Sequence, residues 1–208
     1  MSSSRLSLAW LALLVLLPVG PSSAQTVRVQ RECPPAGETG FYFPAPDEEE
    51  LMPSELFELA WFAHFLEAMD EPSLSCRGGD AVRFTWLRTF HHPVAVRVEW
   101  GGDDGARLTA VELGGAGGYE PGAVVRRLER ALSAEEEGEL ARVLQREDLF
   151  GMDPPSEESG LDGAAWILEG RRGGRYRVMQ EWSPDAGPVR RMGLALLSLT
   201  GWEIEPLY

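Results

Sequence analysis

Two neighbouring stretches of period-two alternation constrain the fold of this chain more than any other feature. Apolar Val82, Phe84 and Trp86 alternate with polar residues, and the run from Val94 to Trp100 repeats the pattern. Side chains alternate between the two faces of a β-strand, so this spacing predicts two consecutive strands. Pro93 cannot donate to a β-ladder and suits a strand start, so TFHHP is predicted to connect the two strands.

The residues after this pair predict two more strands. One is expected in the run ARLTAVEL, and another over residues 123–132, whose pattern on its own also fits a helix. Ser133 and Glu136 have the spacing of a capping box, so a helix is expected to begin there. Residues 123–132 are therefore predicted to form a strand that is exposed on one side.

Two further helices are indicated by helical spacing. The segment 54–69 has two adjoining apolar stripes at helical spacing. The first consists of Leu56, Leu59, Ala60, Ala63 and Leu66. The second is aromatic and consists of Phe57, Trp61 and Phe65. His64 lies beside the first stripe and is expected to pack on the domain. The last helix is expected to start at Pro188 and to end near Gly201.

The segment AAWILEGRRGGRYRVMQEW predicts a hairpin with two alternative registers. A two-residue turn at Arg172 and Gly173 would place Trp166 opposite Met179. A three-residue loop over 171–173 would place Trp166 opposite Val178 instead and gather the large apolar side chains on one face. We favour the three-residue loop for that reason.

These elements predict an α+β fold. Strands grouped in hairpins, without a long crossover between parallel strands, indicate an antiparallel sheet of about five to six strands with about three helices packed mainly on one face. Residues 54–208 are expected to form one domain, and residues 25–53 an extended segment rich in proline, glycine and acidic residues.

The N-terminus has the features of a signal peptide. Arg5 precedes the apolar run LSLAWLALLVLLPVG, and small residues lead to a predicted cut after Ala24. The run is shorter than the about 20 apolar residues that a transmembrane helix needs, and no later stretch is long and apolar enough to span a bilayer. We therefore expect residues 1–24 to be removed, no membrane insertion afterwards, and a periplasmic or secreted protein.

Cys33 and Cys76 are the two cysteines of the chain. An oxidising compartment favours a disulfide between them, although two cysteines alone also fit a pair of free thiols. In the chain-entropy model a bridge closing a loop of this length contributes about 4 kcal/mol.

Composition argues against two classes of partner. The formal net charge is −14, and all 19 basic residues are arginine. A chain this acidic is repelled by phosphate backbones and by anionic lipid surfaces, so neither nucleic acid nor a membrane surface is an expected partner. No motif indicates a cofactor.

Arg88, His91 and His92 are the candidate binding residues. Adjacent side chains in extended backbone point to opposite sides, so the two histidines are poorly placed to bind one ion, and the HExxH signature is absent. Arg88 shares the face of Phe84 and Trp86, where it is expected either to stack on an aromatic ring or to pair with a carboxylate.

Other catalytic motifs are not supported. The glycine-rich segment GGAGGYEPG, residues 114–122, lacks the GK[ST] of a phosphate loop and contains Glu120. Its glycines are expected to supply positive φ angles in a mobile connection. The chain contains no GxSxG, so a serine nucleophile is not indicated.

Four blocks of the sequence resemble a family of exported bacterial proteins that has no assigned activity: RFTWLRTFHHPVAVRV, GGYEPG, DGAAWILEG and EWSP. The resemblance covers residues 71–199 and implies a shared domain, with no cofactor or catalytic residue to carry over. Cys76 lies outside the family pattern, so a bridge would be a local feature. Glu181 stands where a basic residue is usual.

Two functions from different classes remain. The first is a non-catalytic envelope module that binds another envelope protein or a small ligand, with an exposed patch that involves Trp182, Trp202 or Tyr119. The alternative is a hydrolase with a site near Arg88, His91 and His92. Convergence of these side chains on a carboxylate in a concave pocket would favour the hydrolase.

Overall fold

One antiparallel sheet organises the part of the chain that the computed structural model describes, which comprises residues 33–34, 36, 41–44, 53–102, 105–153, 160 and 162–208. The predicted signal peptide and most of the predicted extended segment lie outside these residues. In chain order the elements are α1 (Pro53–Ala68), β1 (Asp80–Arg88), β2 (Val94–Gly102), β3 (Gly105–Leu113), β4 (Val124–Ala131), α2 (Ala134–Glu147), β5 (Ala164–Arg172), β6 (Arg175–Trp182) and α3 (Pro188–Ser198).

The six described strands follow the order β4-β3-β2-β1-β5-β6, and every neighbouring pair is antiparallel. In the middle of the sheet Phe84 of β1 lies between Val96 of β2 and Leu168 of β5. The predicted α+β class with an antiparallel sheet is confirmed.

Helices cover both faces of the sheet. α2 and α3 pack on the face that carries Phe84, Trp86 and Trp166, all fully buried. α1 and the aromatic residues of 41–43 pack on the opposite face, against Leu87 and Ile167. Both faces of the central strands are therefore buried, and this explains why β1 is buried at almost every position.

The buried side of α1 differs from the predicted stripe. Phe62, Phe65, Leu66 and Met69 are buried, whereas Ala60 is exposed, as is an aromatic residue of the second predicted stripe, Phe57. Apolar residues surround this helix, so several stripes fit helical spacing equally well. Contact with Tyr42 and Phe43, which follow no helical pattern, decides which stripe is buried.

The favoured register of the β5–β6 hairpin is wrong. Arg172 pairs with Arg175, so a two-residue turn of Gly173 and Gly174 joins the strands, and Trp166 lies opposite Glu181. Both glycines have positive φ, as a primed hairpin turn requires. The prediction assumed that the large apolar side chains gather on one face of the hairpin. Both faces of this sheet are covered, so that assumption does not determine the register.

The transition from β4 to α2 follows the prediction. Residues 124–131 form a strand, and Ser133 caps α2 with a complete capping box to Glu136. Glu136 also accepts hydrogen bonds from Arg130, and these bonds, together with those of Ser133, lower the pKa of the Glu136 carboxyl to about 2.

A buried ionic network lies on the α1 face. Arg83 and Glu169 are fully buried, and Arg83 Nε donates to Glu169 Oε2 at 2.7 Å. Tyr176 donates its hydroxyl to the other oxygen of Glu169 at 2.9 Å, and burial raises the pKa of this hydroxyl well above its usual value. Glu71 joins the network through Arg83 at 3.4 Å and Arg97 at 2.8 Å. The network ties the segment after α1 to the sheet.

Cys33 and Cys76 lie at disulfide distance, with their Cα atoms 5.6 Å apart, inside the usual span for a bridge. Within the described residues, no helix combines the length and the apolar character needed to cross a membrane.

Candidate functional site

The predicted connection between β1 and β2 forms a tight turn at one end of the sheet. His91 N donates to Arg88 O at 3.2 Å, and Pro93, just before β2, accepts from Leu113 N at 3.0 Å. The backbone at His91 is therefore bent rather than extended. The turn fixes Arg88, His91 and His92 at the corner of the sheet.

The glycine-rich segment 114–122 packs directly on this turn. Gly117 N donates to Arg88 O at 2.8 Å and to His91 O at 3.1 Å, and Gly118 N donates to Thr89 O at 3.0 Å. A Cβ atom on Gly117 would lie 2.5 Å from the carbonyl carbon of Leu87, so no other residue fits here without a backbone shift.

The reason for these glycines differs from the one expected. Of the five glycines in the segment, Gly122 alone has a positive φ. Gly117 and Gly118 allow close approach of two backbones instead. The segment supports the turn through defined hydrogen bonds, and Trp61 of α1 fastens it further by donating to Gly117 O at 3.1 Å.

A cavity of about 270 Å³ opens beside the turn, on the α3 face of the sheet. The three predicted candidates all line it. Among the described residues, the lining consists of Arg88, Phe90, His91, His92, Glu112, Arg126, Glu203, Ile204 and Glu205.

Arg88 is buried at the base of this pocket. Its guanidinium stacks on the ring of Trp86, 4.5 Å from the centroid. Stacking on an aromatic ring was one of the two arrangements expected for Arg88. It donates to His92 O at 3.0 Å and to Glu205 O at 3.2 Å. Burial lowers the pKa of Arg88, and no carboxylate in the described residues bonds to it. Arg88 thus joins the turn to the C-terminal segment through hydrogen bonds to carbonyl oxygens, and Glu112 interacts with its charge from a distance.

His91 and His92 line the same pocket but contact different groups. His91 Nδ1 lies 2.6 Å from the hydroxyl of Tyr208, whereas His92 Nδ1 lies 3.3 Å from Glu112 Oε1. The premise that extended backbone directs the two side chains to opposite sides is wrong, because the backbone at His91 is bent and both histidines line one cavity. Across the described residues, no group of three or more histidine, cysteine, aspartate or glutamate side chains is placed to hold a metal ion.

Glu112 is the buried carboxylate of the pocket. It lies on β3 between Val94 of β2 and Arg126 of β4, and its Oε2 accepts a hydrogen bond from Arg126 Nε. Its other oxygen faces His92. One carboxylate is therefore shared by a guanidinium and an imidazole, an arrangement that holds both side chains at the pocket wall.

Aromatic side chains border the pocket on two sides. Phe90 and Tyr119 are both exposed, and their ring centroids are 6.1 Å apart. Trp202 lies beneath Arg126, with 4.0 Å between the guanidinium and the ring centroid. Trp182 is not part of this border and packs instead near Gly163. The exposed aromatic pair is the feature of this border that is free to contact a ligand.

Sequence analysis did not identify two groups of residues in the site, one on the paired strands β3 and β4 and one after α3. Glu112 and Arg126 meet only because β3 pairs with β4, and sequence spacing does not give that register. Glu203 and Glu205, in the segment that follows α3, also line the pocket, and no spacing in the sequence indicates this contact. Opposite charges at the ends of neighbouring predicted strands were the one available signal.

Comparisons with known proteins add no functional assignment: no protein-family model matches the chain, and no curated protein does so either.

Proposed function

We propose that this protein is an exported, non-catalytic binding module that takes a small polar ligand in the pocket beside the β1–β2 turn. The observation that carries the proposal is a small cavity of mixed polarity, in which Arg126 and His92 lie beside Glu112 and beside the exposed ring of Phe90. Export is supported by the leader-like N-terminus and by the cysteine pair at disulfide distance.

The size of the cavity favours a small ligand. Its volume of about 270 Å³ lies just below the range of about 300–1,000 Å³ that is usual for drug-sized ligands. A monosaccharide or an amino acid is of the right size.

The lining also favours a ligand with mixed polarity. Arg126 and His92 present donors, Glu112 presents an acceptor, and the exposed ring of Phe90 offers an apolar surface at the rim. A ligand that carries both donors and acceptors around an apolar face, such as a sugar ring, satisfies all of these groups.

The test is a thermal-shift and titration calorimetry screen with neutral and acidic monosaccharides, their N-acetyl derivatives and free amino acids. A ligand at about 100 times its dissociation constant stabilises the native state by about 2.7 kcal/mol, which is readily detected. His92→Ala should abolish the effect.

His64→Ala is the matched control. The side chains of His64 and His92 are equally exposed, at 49%, and each faces a glutamate, but His64 lies on α1 and does not line the pocket. Ligand binding that is lost in both variants, or in neither, would contradict the assignment of the pocket.

A hydrolase is the second candidate function, and the contact between His92 and Glu112 favours it. A carboxylate that orients an imidazole is the usual support for a general base acting on water. However, Arg126 already bonds to the other oxygen of Glu112. Of the three candidates, His92 alone lies near a carboxylate, whereas Arg88 bonds to carbonyl oxygens and His91 contacts the hydroxyl of Tyr208. We therefore rank binding first.

A screen with chromogenic esters, glycosides and phosphate esters separates the two functions. The binding proposal expects no turnover above that of the His92→Ala variant. Turnover that His92→Ala abolishes and His64→Ala leaves unchanged would replace the binding proposal with the hydrolase.

A further inference from the structure

Tyr208 is held in place by donors on two neighbouring strands. Its main-chain oxygen accepts hydrogen bonds from Trp86 Nε1 at 3.2 Å and from Trp166 Nε1 at 2.9 Å. These two tryptophans lie directly opposite each other in the pairing of β1 with β5, and both are fully buried. Because the middle of the sheet supplies both donors, it fixes the position of Tyr208.

The segment that leads to Tyr208 is anchored on the same side of the sheet. Arg88 Nη1 donates to Glu205 O at 3.2 Å, and Ile204 is buried in the core of the α3 face. Residues 202–208 belong to no helix or strand. Side-chain donors of the sheet, rather than a β-ladder, therefore determine where this segment lies.

The hydroxyl of Tyr208 contacts His91, which lines the pocket. Its oxygen lies 2.6 Å from His91 Nδ1, and the two rings meet edge to face with their centroids 5.6 Å apart. A phenol O–H is a better donor than an imidazole N–H, and an unprotonated imidazole nitrogen is a better acceptor than a phenol oxygen. The hydroxyl therefore donates to Nδ1, and the proton of the neutral imidazole is on Nε2.

We propose that Tyr208 is a positioning residue that holds the neutral imidazole of His91 in the Nε2–H tautomer, so that His91 is a hydrogen-bond donor to the pocket ligand. Nδ1 is occupied by Tyr208, so Nε2 is the ring nitrogen that remains for a ligand in the cavity. A ligand that satisfies this donor places an acceptor oxygen, of a carboxylate or a hydroxyl, at His91. This consequence rests on the proposed binding function, whereas the tautomer does not.

The neighbouring His92 is held by a different kind of partner. Its Nδ1 lies 3.3 Å from Glu112 Oε1, and a carboxylate can only accept a hydrogen bond. Nδ1 is therefore a donor in His92 and an acceptor in His91. Tyr208 should control the protonation of one ring and Glu112 that of the other, which gives the experiment an internal comparison.

The test is a long-range ¹H–¹⁵N spectrum of the imidazole nitrogens, recorded without a ligand at about pH 8, where an ordinary imidazole is neutral. In the unaltered protein, Nε2 of His91 should give the signal of a protonated nitrogen, and Nδ1 that of an unprotonated one. Tyr208→Phe removes only the hydroxyl, so both signals should move toward the average of two tautomers. Glu112→Gln should move the signals of His92 and leave the tautomer of His91 unchanged.

Acetate tests whether Nε2 of His91 is available to an acceptor oxygen, because at this pH acetate accepts hydrogen bonds and donates none. Its titration should shift the Nε2 signal of His91 in the unaltered protein. In Tyr208→Phe the apparent affinity should be at least about fivefold weaker, since the donor is no longer held in one tautomer.

Tyr176→Phe is the matched control. It also removes a single bonded hydroxyl, but that hydroxyl donates to Glu169 on the α1 face, away from the pocket. The spectrum of His91 and its response to acetate should stay unchanged in this variant. Circular dichroism melting must show that both tyrosine variants are folded; if Tyr208→Phe is not, the spectrum of the unaltered protein still decides the tautomer.

A protonated Nδ1 of His91 in the unaltered protein would overturn the proposal. So would a His91 tautomer that Tyr208→Phe leaves unchanged or that Tyr176→Phe changes equally, or an Nε2 signal that acetate does not move. The tautomer is measured without a ligand, so its failure leaves the binding function standing. A ligand screen without a hit leaves the tautomer standing in turn.

Discussion

Loss of the charge on Glu169 should destabilise the fold more than most single side-chain changes. In Glu169→Gln the side chain keeps its volume, but Arg83 loses the carboxylate that accepts a hydrogen bond from its Nε at 2.7 Å and forms an ion pair with its Nη2 at 2.5 Å. Arg83 is fully buried, so water cannot replace the lost partner. Removing one member of a buried ion pair costs about 3–5 kcal/mol, because it leaves an uncompensated buried charge.

The remaining contacts place the expected cost at the lower end of this range. Glu71 stays 3.4 Å from the guanidinium, and Pro72 O still accepts from it at 2.7 Å. We expect a loss of about 3 kcal/mol. For a domain of this size this corresponds to a fall of roughly 10 °C in melting temperature.

Urea unfolding followed by circular dichroism measures this cost, with Glu120→Gln as the control. The Glu120 side chain is 87% exposed and lies 3.8 Å from His64, so its loss should change stability by no more than about 0.5 kcal/mol. In a double-mutant cycle, Arg83→Met with Glu169→Leu should recover part of the loss, because neither charge then stays buried alone. A cost below about 1 kcal/mol for Glu169→Gln would refute the reasoning.

Three further changes test separate parts of the fold. Gly117→Ala should destabilise the protein by about 2 kcal/mol in urea unfolding and shift the imidazole resonances of the pocket in NMR spectra, because a Cβ here collides with backbone. Hydrogen bonds from Arg191 lower the pKa of Glu147 to about 2, below its ordinary value of 4.5. The stability from this group is present above pH 4.5 and is lost as pH falls through 2, so Glu147→Gln should flatten the urea-measured stability profile in that window. Ser133→Ala should cost about 1 kcal/mol in thermal unfolding, because Glu136 N loses the acceptor that starts α2.

Local patterns predicted the elements because the signal that defines a strand or a helix start lies within a few residues. The alternation in β1 and β2 and the capping box of α2 are of this kind, and both were confirmed. Apolar grouping alone failed at the β5–β6 register and at the buried side of α1. Gly173 and Gly174, in the turn itself, decide the register, and contact with Tyr42, outside the helix, decides which side of α1 is buried.

The residues of the candidate site also fall into those that the local sequence predicts and those that depend on strand pairing. Pro93 marks the end of the connection that holds Arg88, His91 and His92, so sequence reasoning located these three. Glu112 could not be assigned, because its neighbours His92 and Arg126 come from the β1–β2 turn and from β4. The pairing of three strands, rather than any motif, assembles the pocket.

The two buried arginines of β1 lie on opposite faces of the sheet, and one contributes to the stability of the fold whereas the other lines the pocket. Arg83 faces α1 and is neutralised by Glu169, whereas Arg88 faces α3 and bonds to carbonyl oxygens, which carry no charge. The charge of Arg88 is not neutralised by a direct ion pair, since Glu112 acts on it only from a distance, and Arg88 lines a cavity. Arg83 therefore stabilises the sheet on one face. On the other face, Arg88 attracts the acceptor groups of a ligand. This asymmetry makes the pocket, rather than the more strongly charged network on the α1 face, the site at which ligand binding is expected.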